Sequence, residues 1–195
     1  GASLSACSLF FECKPQVSFV EIKSAVQDTT QLSFLGAYQD AIRQEFQQVI
    51  ASTPEPLLIV RPGSNLMNWC ADAIISSQLA NKKLSEPVIC LLNTGGLRAT
   101  FGAGDLTRAD FFKLMPFDNK LVWVHYPVSK LKDIESYLVK SGGEPIANCT
   151  LDNGQLRINQ LLPQHQFIWI LTSDFLANGG DQMYFFLNET KEETN

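Results

Sequence analysis

Apolar residues along this chain recur at two spacings, and each spacing predicts its own elements. Leu35, Tyr38, Ile42, Phe46, Val49 and Ile50 follow one another mostly at helical steps, which predicts an amphipathic helix ended by Pro54 and Pro56. Ser64 or Asn65 can cap a second helix, with Leu66, Trp69, Cys70, Ala73 and Ile74 on its inner face. A third helix is predicted through Phe111, Phe112 and Leu114. Thr107-Arg108-Ala109-Asp110 opens it as a capping box with aspartate for glutamate, and Pro116 stops it. A fourth opens at Ser129, carries Leu131, Ile134, Tyr137 and Leu138, and ends at Ser141-Gly142-Gly143.

Shorter apolar runs predict strands at Val17 to Ile22, Leu57 to Val60, Pro87 to Leu92, Leu121 to Tyr126 and Gln166 to Leu171. Asp152-Asn153-Gly154 predicts a hairpin turn between two further short strands. Helices and strands alternate, but the hairpin breaks a strict strand-helix-strand series. The expected fold is α/β mixed (α+β), a single-domain sandwich of helices and a mixed sheet. Residues 1–14 are read as a disordered or export-type segment and 15–188 as the domain. The polar stretch 189–195 is read as a mobile tail.

Composition narrows the class. The 195 residues are 45% hydrophobic and 18% charged, the balance of a folded globule with a core that needs no disulfide staples. A net charge of −5 argues against nucleic acid as a partner, because phosphate-tracking surfaces are strongly basic. No apolar run reaches the roughly 18–20 residues of a membrane span. Cys7, Cys13, Cys70, Cys90 and Cys149 show no C-x-x-C pairing, and with only His125 and His165 they form no zinc spacing. Cys70, Cys90 and Cys149 sit in apolar contexts and are read as buried thiols. Leu4-Ser5-Ala6-Cys7 has the form of a bacterial lipobox. It suggests a periplasmic or cell-envelope protein whose only link to a membrane is lipidation at Cys7. An incidental cysteine near the terminus is the competing reading.

The candidate chemistry sits on two glycine-rich segments that follow predicted strands. Asn93-Thr94-Gly95-Gly96-Leu97-Arg98 follows one, and Phe175-Leu176-Ala177-Asn178-Gly179-Gly180-Asp181 follows another, with Pro116-Phe117 between them in sequence. The glycines let backbone approach a ligand closely, and open α/β sheets place ligands beyond strand ends. Arg98 offers a planar fork matched to phosphate oxygens. Asn93 both donates and accepts, whereas Asp181 only accepts, which suits a vicinal diol. Phe117 and Phe175 are suited to sandwich a flat base. A glycine pair after a strand is commonly just a turn, and a lone phenylalanine is commonly core. Their co-occurrence on separate loops favours a nucleoside and its phosphate.

The pattern N-x-G-G-[IL]-R, then P-F, then F-L-A-N-G-G-D resembles the C-terminal domain of the 5′-nucleotidase family, which includes UDP-sugar hydrolases. The resemblance runs from about Arg61 to about Phe186. It implies that Phe117 and Phe175 stack on the base, that Asn93 and Asp181 hold the ribose, and that Arg98 contacts phosphate. Gly95, Gly96, Asn178 and Gly180 fall within the same motifs. It also implies a further arginine, matched by Arg61 with the spacing shifted by one residue. Asp118 and Gln182 stand where the family commonly has glycine.

The family pairs this domain with a metallophosphoesterase domain that carries two divalent metals on D-x-H, G-N-H-[DE] and G-H-x-H motifs. None of these motifs occurs here, and His125 and His165 are 40 positions apart. No catalytic residue, metal site or cofactor is therefore assigned to this chain. The expected function is the nucleotide- or nucleoside-binding half of a split 5′-nucleotidase, completed by a separate metallophosphoesterase chain. The alternative is a stand-alone nucleoside- or nucleotide-binding module of the cell envelope.

Overall fold

A five-stranded mixed sheet carries the molecule, seen in a computed structural model that describes residues 39–80 and 82–194. The chain divides into two units, Gly1–Ala41 and Ile42–Asn195, and the sheet belongs to the second. Its first half comprises β1 (Val49–Thr53), α1 (Asn65–Leu79), β2 (Val88–Leu91), β3 (Gly104–Thr107), α2 (Arg108–Leu114) and β4 (Leu121–Pro127). Then follow α3 (Leu131–Ser141), β5 (Ile146–Ala147), β6 (Cys149–Asp152), β7 (Gln155–Ile158), β8 (Phe167–Ser173), α4 (Asp174–Ala177) and β9 (Thr190–Glu193). The expected boundary at residue 14, the strand at Val17 to Ile22, Cys7, Cys13 and Leu35 lie outside the described residues.

The sheet runs β5-β2-β8-β4-β9. β2 and β8 are parallel, with Cys90 opposite Leu171, and the other pairs are antiparallel. One face buries Ile89, Leu91, Val124, Ile168 and Ile170 against Ile134 and Leu138 of α3 and against Met183 and Phe186. The other face buries Cys90, Trp123 and Leu171 under Ala71 and Ile75 of α1. A smaller core joins the start of α1 to Leu97, Phe101, Leu106 and Leu114. Helices thus cover both sides of a mixed sheet, as the pattern predicts. Cys70, Cys90 and Cys149 are buried and free. Burial pushes the Cys70 and Cys149 thiols up to about 12 and Cys90 further, so all three stay protonated.

Several local expectations are corrected. Val49 and Ile50 do not continue a helix. Helix ends at Phe46, and the β-branched pair opens β1, which hydrogen-bonds antiparallel to β3. Leu57 to Val60 forms no strand: only Leu57 makes a bridge, exchanging both backbone bonds with Phe101 at 3.0 Å. Ser64 caps α1, whose buried face is Leu66, Met67, Cys70, Ala71 and Ile75, leaving Trp69 and Ala73 exposed. The tail is no loose end, since Thr190–Glu193 pairs with β4 as an edge strand. Its charged side chains face solvent and meet Lys82 and Lys120 in ion pairs.

Other expectations hold in detail. Asn153 and Gly154 have φ of 49° and 79°, the double positive-φ pair of a two-residue hairpin turn. Gly142 ends α3 in the left-handed conformation. The Asp110 carboxylate accepts from the Thr107 hydroxyl at 2.7 Å and from the Thr107 backbone N–H at 2.9 Å. Those bonds, aided by Lys113, hold its carboxyl below the usual carboxylate range.

Asp110→Ala is expected to lower stability by about 1 kcal/mol at neutral pH, the usual cost of losing a helix-start bond. Because the folded carboxyl titrates below its unfolded value, this contribution is complete above about pH 4–5. It fades as pH falls through the folded value. Urea unfolding of both proteins at pH 7 and near pH 3 checks this. The gap should narrow in acid, and a gap that stays constant contradicts it.

Candidate functional site

Strand direction gathers the site. Because β2 and β8 run parallel side by side, both release the chain at the same end of the sheet. β4 is antiparallel to β8, with Leu121 opposite Ser173, so the segment entering β4 arrives at that end too. Three loops therefore meet there: 93–98, 115–120 and 174–182. Asp174 and Lys120 tie two of them together. The Asp174 N–H donates to the Lys120 carbonyl at 2.8 Å, and the Lys120 N–H donates to Asp174 Oδ1 at 3.2 Å.

Asn93 leaves β2 in extended conformation, and Thr94–Gly96 then make one 3-10 turn. The Asn93 amide donates to Asp181 Oδ2, joining the first loop to the third. A Cβ at Gly96 would stand 2.8 Å from Asn93 Oδ1, so a side chain there would force the Asn93 amide to shift. Arg98 is anchored by its backbone N–H on the Leu114 carbonyl at 2.8 Å. Its side chain is exposed and makes no ion pair among the described residues.

The third loop begins with Ser173, whose hydroxyl accepts from the Leu176 N–H at 3.2 Å and starts α4. Asp181 and Gln182 then take φ of 48° and 65°. Left-handed backbone at two non-glycine residues in a row costs energy and needs support from its surroundings. Asn93 supplies part of it. The Tyr137 hydroxyl also holds this backbone, donating to the Asp181 carbonyl at 3.1 Å. Burial, then the charges of Glu144 and Asp181, push the Tyr137 hydroxyl up to about 12, so it keeps its proton. Gln182 occupies the position where the resembled family has glycine, and its φ is one that glycine adopts freely.

Phe117 and Phe175 are 52% and 48% exposed. A Cβ on Gly180 would come within 2.5 Å of the Phe175 ring, so the bare backbone there is what lets the ring lie down. Both rings line one cavity of about 290 Å³ with Asn93, Gly95, Gly96, Arg98, Asn119 and Asp181. That volume sits at the lower end of small-molecule sites.

Of the residues proposed from sequence, seven share this cavity. Gly180 lies beneath the Phe175 ring, Asn178 is exposed at the end of α4, and neither lines the cavity. Arg61 is elsewhere, in a neighbouring cavity of about 600 Å³ with Tyr137, Glu144, Asp181, Gln182 and Tyr184. Its guanidinium is engaged by Glu144 at 2.8 Å and by the Ser141 carbonyl. Sequence reading missed Asn119, two residues past Phe117, and Glu144, just after the Gly142-Gly143 pair. Glu144 is 4% exposed, and nothing in a single charged residue after a turn signals burial. Among the described residues no group of three His, Cys, Asp or Glu is placed to hold a metal, so the donors of a two-metal centre are not assembled by them.

Residues 49–134 match the family model for the 5′-nucleotidase C-terminal domain. The match starts ahead of Arg61, covers the Asn93 and Phe117 loops, and stops short of the Phe175 loop. No protein of curated function matches the sequence. Among solved structures, the chain superposes on a 5′-nucleotidase precursor from Thermus thermophilus with a TM-score of 0.57 at 21% identity. The NAD nucleotidase of Haemophilus influenzae gives 0.55 at 15%, and the 5′-nucleotidase of Candida albicans gives 0.55 at 13%. The superpositions cover 86–87% of this chain but only 36–42% of those proteins. The chain therefore carries, over residues 49–134, the sequence pattern of the 5′-nucleotidase C-terminal domain, on the fold which that domain has in solved 5′-nucleotidases.

Proposed function

We propose that this chain is the nucleotide-recognition half of a split 5′-nucleotidase, and that a metallophosphoesterase domain on a separate chain supplies hydrolysis. One observation carries the reading. Two half-exposed phenylalanine rings, an arginine with no ion pair among the described residues and an Asn93–Asp181 pair, from three loops, line a single cavity. In this reading Phe117 and Phe175 sandwich the base, because every nucleobase offers a π-face worth about 1–3 kcal/mol of stacking. The Asp181 carboxylate, with Asn93 beside it, accepts from the ribose hydroxyls. Arg98, exposed at the cavity, takes the phosphate. Two divalent metals belong to the partner domain, where a pair of ions activates water and clamps the displaced oxygen. A cell-envelope location, with Cys7 as lipid anchor, fits the lipobox-like Leu4-Ser5-Ala6-Cys7 and the precursor status of the Thermus protein.

Calorimetry with adenosine and adenosine monophosphate tests the recognition roles. Phe117→Ala and Phe175→Ala should each weaken both ligands by about 1–3 kcal/mol. Arg98→Ala should weaken the monophosphate and leave adenosine nearly unchanged. Unaltered affinity in both phenylalanine variants would mean the rings do not stack on ligand. Equal losses for both ligands in Arg98→Ala would remove its phosphate role.

Phosphate release tests the division of labour. The purified chain with manganese or zinc should release no phosphate from nucleoside monophosphates. Turnover by this chain alone would contradict the split-enzyme reading. Tight nucleoside binding that no metallophosphoesterase chain converts to turnover would instead favour a stand-alone binding module.

A further inference from the structure

Glu144 has a carboxylate with no part in the roles assigned above, yet it joins two segments that flank the site. It is 4% exposed. Oε2 accepts from the Thr94 backbone N–H at 2.6 Å and from the Thr94 hydroxyl at 2.7 Å. Oε1 accepts from Arg61 Nη2 at 2.8 Å. A buried carboxylate is tolerated when it is both paired and hydrogen-bonded, and here both conditions are met by the same two partners.

Local sequence explains how Glu144 reaches that place. Gly143 has φ of 102°, and a Cβ on it would stand 2.0 Å from the Pro62 carbonyl oxygen. The chain at Pro62 therefore passes over bare backbone, which brings Arg61 beside the next residue, Glu144. At the other end, Thr94 opens the 3-10 turn after Asn93. The N–H of the first residue of a turn has no partner within the turn, and Asn93 makes no side-chain cap bond here. Glu144 supplies the missing acceptor.

We infer that Glu144 is a positioning residue for ligand recognition: its buried carboxylate sets the Asn93 loop through Thr94 and takes Arg61 as counter-ion. The inference rests on the nucleoside reading of the cavity, and it gives Arg61 a role. That guanidinium acts first on Glu144, not on a phosphate beside Arg98. A continuous chain of contacts then runs from Arg61 through Glu144, Thr94 and Asn93 to Asp181.

The test measures adenosine affinity by calorimetry for the wild type, Glu144→Gln, Asn93→Ala and the double variant. If Glu144 acts through Asn93, each single substitution weakens adenosine by about fivefold or more, and the double variant is no weaker than the weaker-binding single. Thr94→Ser, which keeps both donors, should bind like the wild type, whereas Thr94→Val should bind more weakly. Hydrogen exchange of the Thr94 amide, read by NMR without ligand, should quicken about tenfold or more in Glu144→Gln while the Leu171 amide is unchanged. Thr94→Val supplies the affinity readout should Glu144→Gln not fold. Factors that multiply in the double variant overturn the inference, as does wild-type affinity in Glu144→Gln or in Thr94→Val. A wild type that binds no nucleoside fails the cavity reading itself and takes the inference with it. Loss in Asn93→Ala without loss in Glu144→Gln fails the inference alone.

Discussion

Parallel pairing of β2 with β8 is the constraint from which the candidate site follows. Two strands side by side in the same direction must release their chains at the same end of the sheet, and both segments released here are glycine-rich loops. β4 pairs with β8 in the opposite sense, so its entry brings Phe117 to the same place. Hydrophobic burial on both faces of β8 fixes that arrangement, with Ile168 and Ile170 on one side and Leu171 on the other. A one-residue slip would turn each of these side chains to the wrong face. The register of the core and the composition of the cavity are therefore the same fact.

Bare backbone then sets the fine geometry. Gly96 leaves room for the Asn93 amide, Gly180 for the Phe175 ring and Gly143 for Pro62. Each opening lets a functional or supporting group lie closer than a side chain would permit. Around them polar groups are tied in pairs, Asn93 with Asp181, Tyr137 with the Asp181 backbone, and Asp174 with Lys120. Asp181 and Gln182 keep left-handed backbone, with Asp181 held through its side chain by Asn93 and through its carbonyl by Tyr137. Arg98, Phe117 and Phe175 are left exposed at the same cavity.

Much of this was legible in the sequence, for reasons that differ by residue. The Asn93, Phe117 and Phe175 segments carry glycine and proline punctuation with fixed spacing, so their loops, which the structure brings to one cavity, show in the sequence. β2, β4 and β8 are continuous apolar runs of the kind that buried strands require. The start of β1 was hidden because Val49 and Ile50 also fit the helical period of the preceding residues, and only pairing with β3 decides between the two. β9 was hidden because an edge strand needs no apolar face, and Thr190–Glu193 has none. The face of α1 was displaced because its buried stripe takes Met67 and Ala71 in place of Trp69 and Ala73. Arg61 could not be placed by spacing, since its position depends on Glu144, a partner 83 residues away.

The central claim is that one cavity holds base, ribose and phosphate at Phe117, Phe175, Asp181 and Arg98. A crystal structure of the chain with adenosine monophosphate tests it most directly. The claim predicts the adenine ring between the two phenylalanine rings, ribose hydroxyls within hydrogen-bond reach of the Asp181 carboxylate, and phosphate at the Arg98 guanidinium. A nucleotide bound with its base outside the Phe117–Phe175 cleft, or its phosphate far from Arg98, would contradict it.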